Sequence, residues 1–175
     1  KSSLYYGVEW VLNDVNSQGE NTNILSHIST PGPSRYPQAK WLSYGAYGSL
    51  QHQISKALML QSGLRYNGIK LDATFDTSFY PLPFEKAQID TGNWTGNFGL
   101  VLNPGRQWLL RANYATAFRA PNVDDLGKIF DSEPGAVVVP NHQLKPEYAH
   151  SWDLGTAKII NKKLKIDVST YYTWL

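Results

Sequence analysis

The sequence predicts an all-β fold, an antiparallel up-and-down meander of about seven long strands. Three observations carry that expectation. Apolar and polar residues alternate with period two over most of the chain, and helical periodicity is nearly absent. The alternating segments are long, most of them twelve to fifteen residues. The connections between them alternate strictly between long and short.

In chain order the segments are roughly 3–13, 41–55, 57–71, 92–103, 106–118, 148–160 and 163–175. Side chains on a strand point alternately to its two faces, so each segment can be sorted by parity. The first sets Tyr6, Val8, Trp10 and Leu12 against Gly7, Glu9, Val11 and Asn13. A loop of about 27 residues, 14–40, follows. The second segment sets Tyr44, Ala46, Gly48 and Leu50 against Gly45, Tyr47, Ser49 and Gln51. Little more than Ser55-Lys56 joins it to the third, which sets Leu58, Leu60, Leu64 and Tyr66 against Gln61, Gly63, Arg65 and Asn67. A second long loop covers 72–91. The fourth segment sets Trp94, Phe98, Leu100 and Leu102 against Thr95, Asn97, Gly99 and Asn103.

Asn103-Pro104-Gly105-Arg106 reads as a tight turn into the fifth segment. There Trp108, Leu110, Ala112 and Tyr114 oppose Leu109, Arg111, Asn113 and Ala115. Arg119 and Pro121 end it, because proline cannot donate to a strand ladder. The third long loop, 119–147, contains the only stretch with helical character, a short turn at 122–130. The sixth segment is the least regular, with Trp152 and Leu154 opposite Ser151, Asp153 and Gly155. Asn161-Lys162-Lys163 leads to the seventh, where Leu164, Ile166, Val168 and Tyr172 oppose Lys165, Asp167 and Ser169.

A soluble meander carries the same alternation, so alternation alone does not place the sheet. Length and aromatic position favour a membrane barrel. Soluble strands run 3–10 residues, whereas thirteen residues at about 3.3 Å each, tilted near 40°, rise about 33 Å and cross a hydrocarbon layer. Trp10, Trp94, Trp152 and Trp174 all lie on the apolar parity near the long-loop ends, with Tyr44 and Tyr66. Trp108 shares that parity beside a tight turn. This is the placement of two interfacial aromatic girdles, with short turns on one side and long loops on the other. The opposite parity is polar enough for a wet lumen, and His52 and Lys158 break the pattern.

Composition narrows the function classes. A net charge of +2 provides no field for nucleic acid, so no nucleic-acid partner is expected. With no cysteine there is no disulfide framework or thiolate metal site, and His27, His52, His142 and His150 lack metal-ligand spacing. No nucleophile elbow or phosphate-binding glycine loop is present, so neither an enzyme nor a resident cofactor or metal is expected. The loop residues Arg35, Tyr36, Phe79, Tyr80 and Phe84 are candidates for a ligand-capture surface, with packing of the loops on each other as the competing role.

Two elements carry a resemblance. Phe118, Arg119, Ala120 and Pro121 end one strand; Asn141, Leu144, Lys145, Pro146 and Glu147 precede the next, which continues Ser151-Trp152-Asp153-Leu154-Gly155. In this order and separation they resemble the barrel region of TonB-dependent outer-membrane receptors, with His142 standing where that family usually has proline. The close match covers 114–155; the rest agrees in pattern.

The resemblance implies a bacterial outer-membrane barrel of 22 strands, of which residues 1–175 form a partial segment from the middle without the plug domain. It implies nutrient import, with a ferric siderophore first and cobalamin, haem or a glycan as alternatives. The implied partners are that nutrient, outer-membrane lipid, and a TonB-type energy-transducing protein engaged through other regions. For the motif residues a structural role is expected, with Arg119 and Glu147 pairing at the loop base. The alternatives are a non-transporting barrel adhesin or surface protein, and an outer-membrane hydrolase.

Overall fold

A computed structural model describes residues 1–127, 131–133, 136–137, 141 and 143–175. Its main feature is one seven-stranded antiparallel sheet. The strands are β1 (Ser2–Val15), β4 (Gln38–Gln53), β5 (Leu58–Thr74), β6 (Lys86–Gly105), β7 (Trp108–Arg119), β10 (Glu147–Ile160) and β11 (Leu164–Trp174), paired in that order. Two small hairpins decorate the long connections: β2 (Gly19–Thr22) with β3 (Ser29–Gly32), and β8 (Asp131–Glu133) with β9 (Ala136–Val137). A single helical turn, α1 (Val123–Gly127), falls inside the stretch expected to be helical. Among the described residues no helix is long and apolar enough to cross a membrane.

Register fuses the seven apolar faces into one. Trp10 pairs with Tyr44, Ala46 with Tyr66, Tyr66 with Trp94, Phe98 with Tyr114, Tyr114 with Trp152, and Trp152 with Tyr172. Each pair joins residues of even number, so the even residues of all seven strands share a face. A one-residue slip at any interface would move a whole strand's apolar set to the other side. The only register shift in this sheet lies between Leu102 and Gly105, beside the turn.

Among the described residues no second layer covers this face. Trp94, Leu100, Leu110 and Trp152 are 55%, 36%, 39% and 52% exposed, although such residues in a soluble sandwich are core. A contiguous apolar surface of this extent requires a non-aqueous partner. It includes a shallow apolar dish of about 490 Å³ bordered by Leu58, Leu102, Leu110, Leu154 and Val168, which suits acyl chains.

The aromatic girdle runs across the whole sheet at the long-loop side. Successive ring centroids lie 6.2 Å apart for Trp10 and Tyr44, 6.3 Å for Tyr44 and Tyr66, and 5.2 Å for Tyr66 and Trp94. The Tyr148 hydroxyl then reaches across β7 and donates to the Trp94 carbonyl at 2.8 Å. His150 stacks on Trp174 at 4.9 Å and meets the Tyr114 hydroxyl through Nδ1 at 2.7 Å. Gly68 and Gly92 lie beneath the rings of Tyr44 and Tyr66, where any Cβ would collide with the aromatic. Both pattern-breaking residues are accounted for by partners near the tight-turn side. His52 Nδ1 lies 2.8 Å from the Ser2 hydroxyl. Lys158 donates to the Arg106 carbonyl at 2.7 Å while its ammonium sits 4.5 Å from the Trp108 ring, a snorkelling arrangement.

The odd-numbered face carries a polar ladder. Arg65 pairs with Glu9 on one side and donates through Nε to Asn67, whose amide donates to Thr95 at 3.2 Å. The Arg65 guanidinium also lies 5.7 Å from the Tyr47 ring centroid. Arg111 and Lys165 both meet Asp167, at 2.9 and 3.2 Å.

Above the girdle the pattern inverts. β4, β5 and β6 run 16, 17 and 20 residues, longer than expected. From Tyr66 to Thr74, β5 climbs about 20 Å past the girdle at ordinary strand rise and tilt. There the even face is charged, with Lys70 paired to Asp90 at 3.1 Å and Gln88 donating to Asp72 at 2.8 Å. The odd face is apolar: Ala39, Leu71, Ala73, Phe75 and Ala87 form the buried core with Leu126. Residues 86–91, expected to be loop, are therefore strand.

The tight turn also shifts. Pro104 lies within β6, in the stretch where register slips, which removes its conflict with the ladder. Arg106 and Gln107 make the reversal with φ of 51° and 63°, as Asn161 and Lys162 do with 50° and 58°. A glutamine in the left-handed region costs about 1 kcal/mol, so Gln107→Gly is expected to stabilise this hairpin by about that amount in urea unfolding.

Candidate functional site

The motif residues converge at the base of the third long connection. Arg119 ends β7 and Glu147 begins β10, and the two are register partners. Arg119 donates to Glu147 at 3.4 Å, so the expected pair forms, but its shorter bonds go to Asp125, at 2.8 and 2.9 Å to the two carboxylate oxygens. Asp125 is the residue that sequence reasoning missed. Its signal was the Asn122-Val-Asp-Asp125 spacing of a capping box. Asn122 Oδ1 accepts the Asp125 N–H at 2.9 Å, and Asp125 Oδ2 accepts the Asn122 N–H at 3.2 Å. The cap holds α1 so that Leu126 is fully buried, with Ala120 and Pro121 buried beside it.

Phe118 pairs with Tyr148 on the girdle face. Leu144 and Lys145 line a cleft of about 190 Å³ with Arg119, Pro121, Asp125 and Glu147. Asn141 accepts the Gln143 N–H at 2.9 Å, forming an Asx-turn, and Pro146 is exposed just before β10. His142 lies outside the described residues. These ion pairs are solvent-exposed, and their combined contribution is modest. Asp125→Ala removes the Asp125 half of the capping box and the Arg119 contact while leaving the Asn122 cap, and about 1 kcal/mol of local stability is expected to go with it. Faster amide exchange in 119–127 with unchanged exchange in β5 would record that loss.

The five loop candidates take different positions. The Arg35 guanidinium lies 5.8 Å from the Tyr36 ring, and the Tyr36 N–H donates to Ser17 Oγ at 3.3 Å. Tyr80 and Phe84 pack against the buried core, Phe84 edge-on to Phe75 at 5.3 Å. Phe79 is 41% exposed and borders a cleft of about 490 Å³ between the β2–β3 hairpin and the tops of β4 and β5. Gln38, on the cleft wall, is fixed by donating to the Ser17 carbonyl at 2.9 Å. Asp76 accepts the Ser78 hydroxyl and N–H at 2.6 and 2.9 Å, and these bonds hold its carboxyl below the ordinary aspartate value. Among the described residues no group of three or more His, Asp or Glu is placed to hold a metal ion.

The family model "TonB dependent receptor-like, beta-barrel" matches residues 1–175. Solved structures similar to the chain include the copper transporter OprC, with a TM-score of 0.80 and 21% identity over 98% of this chain and 27% of that one. A double mutant of the Serratia marcescens hemophore receptor HasR, in complex with its hemophore HasA and heme, gives 0.74 and 15% over 98% and 30%. The ferric-catecholate import receptor Fiu from K12 E. coli gives 0.68 and 16% over 98% and 28%. At these identities the likeness is one of fold, and the chain spans less than a third of each structure's length. No curated protein sequence matches.

Proposed function

The chain belongs to the TonB-dependent receptor β-barrel family of the bacterial outer membrane, and from that premise we propose that it is a barrel segment of a receptor importing a scarce nutrient with TonB-coupled energy. The observation that carries this reading is the uncovered even face with its continuous girdle, joined to a family match over the whole chain. The complete barrel has 22 strands in this reading, with residues 1–175 as a partial segment and a plug domain contributed from elsewhere in the receptor. A ferric siderophore is the first candidate ligand. The names of the similar structures, which mention copper, heme and ferric catecholate, keep other cargo in view.

Arg35 and Tyr36 are the proposed ligand contacts of the first long loop, Tyr80 and Phe84 shape the second, and the motif residues brace the third. For a transporter the chain makes and breaks no bond. Its contribution is a rigid wall with a polar lumenal face and loops that meet the ligand.

The test is uptake of a radiolabelled ferric siderophore panel by cells carrying or lacking the full-length receptor. Uptake of at least one member is expected to need both the receptor and an intact TonB. Uptake of none, with a surface-adhesion defect in its place, would favour the adhesin reading.

A further inference from the structure

The cleft beside Phe79 does not open on the lumenal side of the sheet. Its strand contributions, Gln38 and Thr74, are register partners at the tops of β4 and β5, and both belong to the even set that faces lipid lower down. They stand eight residues above Tyr66 along β5, about 20 Å beyond the girdle. That height lies past the acyl chains and headgroup region, in the layer of sugars that the outer leaflet of this membrane carries.

The lining chemistry suits sugars. Five hydroxyl-bearing residues, Ser17, Ser29, Thr30, Ser34 and Thr74, line it together with Glu20, Asp76 and Gln38. Carboxylates only accept hydrogen bonds, so they call for a ligand rich in O–H donors. Phe79 presents the one aromatic ring, available for the apolar face of a pyranose. Among the described residues no Lys, Arg or His lines the cleft, and none of the lining residues is a soft metal ligand, so phosphate, polyanionic iron complexes and soft metal ions are poor matches. Its volume of about 490 Å³ lies within the range of small-molecule sites.

We propose that this cleft is a saccharide-binding site on the outer flank of the barrel, occupied by uncharged hexose units of the surrounding outer-leaflet glycolipid. The proposal rests on the outer-membrane placement above. It gives the receptor a fixed contact with its glycolipid neighbours, away from the lumenal face.

The test uses the full-length receptor in nanodiscs made with lipopolysaccharide bearing a complete core, or with a deep-rough form lacking the core hexoses. Amide exchange in 17–20, 29–38 and 74–80 is expected to slow severalfold with the complete core only, and Phe79→Ala or Asp76→Asn is expected to remove most of that protection. A third arm adds soluble maltotriose to deep-rough nanodiscs; weak protection of the same amides supports the sugar chemistry. Equal protection in both lipids, or protection that survives both substitutions, overturns the proposal. So does TonB-dependent import of maltotriose, which would make the cleft a solute subsite. Siderophore uptake measured on the same receptor reports separately on the import reading, so loss of protection with uptake intact removes the saccharide site alone.

Discussion

Leu100→Lys in the full-length receptor is expected to remove most of the protein from the outer membrane, while Asn113→Lys is expected to leave its level nearly unchanged. The two positions lie on adjacent strands, one register step apart, but face opposite ways. Leu100 pairs with Leu60 and Ala112 on the even face, six residues below Trp94, which puts it about 15 Å under the girdle and near the bilayer midplane. A lysine there costs about 2–4 kcal/mol. Asn113 pairs with Gly99 and with Asp153 on the polar face, where a lysine meets water and a carboxylate. Immunoblots of outer-membrane fractions, with urea unfolding from vesicles for whatever folds, measure the contrast. Equal losses at both sites would mean that the faces are not differently solvated.

Leu71→Ala is expected to loosen the extramembrane cap without unfolding the barrel. Leu71 is 1% exposed and packs with Ala39, Ala73, Phe75, Ala87 and Leu126. Truncating such a side chain costs about 2–5 kcal/mol, depending on how far the site collapses. The cost falls on the upper ends of β4, β5 and β6, above the lipid-facing part of the same strands, so opening is expected to be local. Amide exchange is expected to accelerate at 71–75, 86–89 and 123–126, with the lower halves of β5 and β6 unaffected. A global loss of folded receptor would show that cap and barrel open together.

How much of this was legible in the sequence depends on what surrounds each residue. Below the girdle one solvent, hydrocarbon, faces the even side throughout. Period-two alternation therefore identified the strands, the lipid face and the girdle residues Trp10, Trp94 and Trp152. Above the girdle water faces the same side and the chain supplies its own core on the other. Lys86, Gln88 and Asp90 turn outward while Ala87 and Ile89 turn inward, so a rule that follows apolar even residues stops at residue 92, six residues after β6 begins. The Pro104-Gly105 pair read as a turn for a similar reason. Its local chemistry is turn-like, but the register slip lets proline stay in the strand and passes the reversal to Arg106-Gln107.

At the candidate site the motif pointed correctly to an Arg119–Glu147 contact, because strand ends that pair in register bring their side chains together. Asp125 was passed over as one acid in a string, although its spacing from Asn122 is a cap signature. The outward cleft had no sequence signal, since it is assembled from a hairpin and two strand tops distant in the chain.

The central claim is that hydrocarbon covers the even face below the girdle and water covers it above. Residues 1–175 contain no cysteine, so, with any native cysteine elsewhere in the receptor replaced, single cysteines bearing a nitroxide can be walked along 86–102 in the full-length receptor in bilayers. Accessibility to oxygen is expected to peak at 96, 98, 100 and 102, with the water-soluble nickel reagent favoured at 97, 99 and 101. At 88 and 90 the nickel reagent is expected to dominate, with 87 and 89 shielded from both. A flat profile through 94–102, or nickel access at the even positions there, would contradict the account.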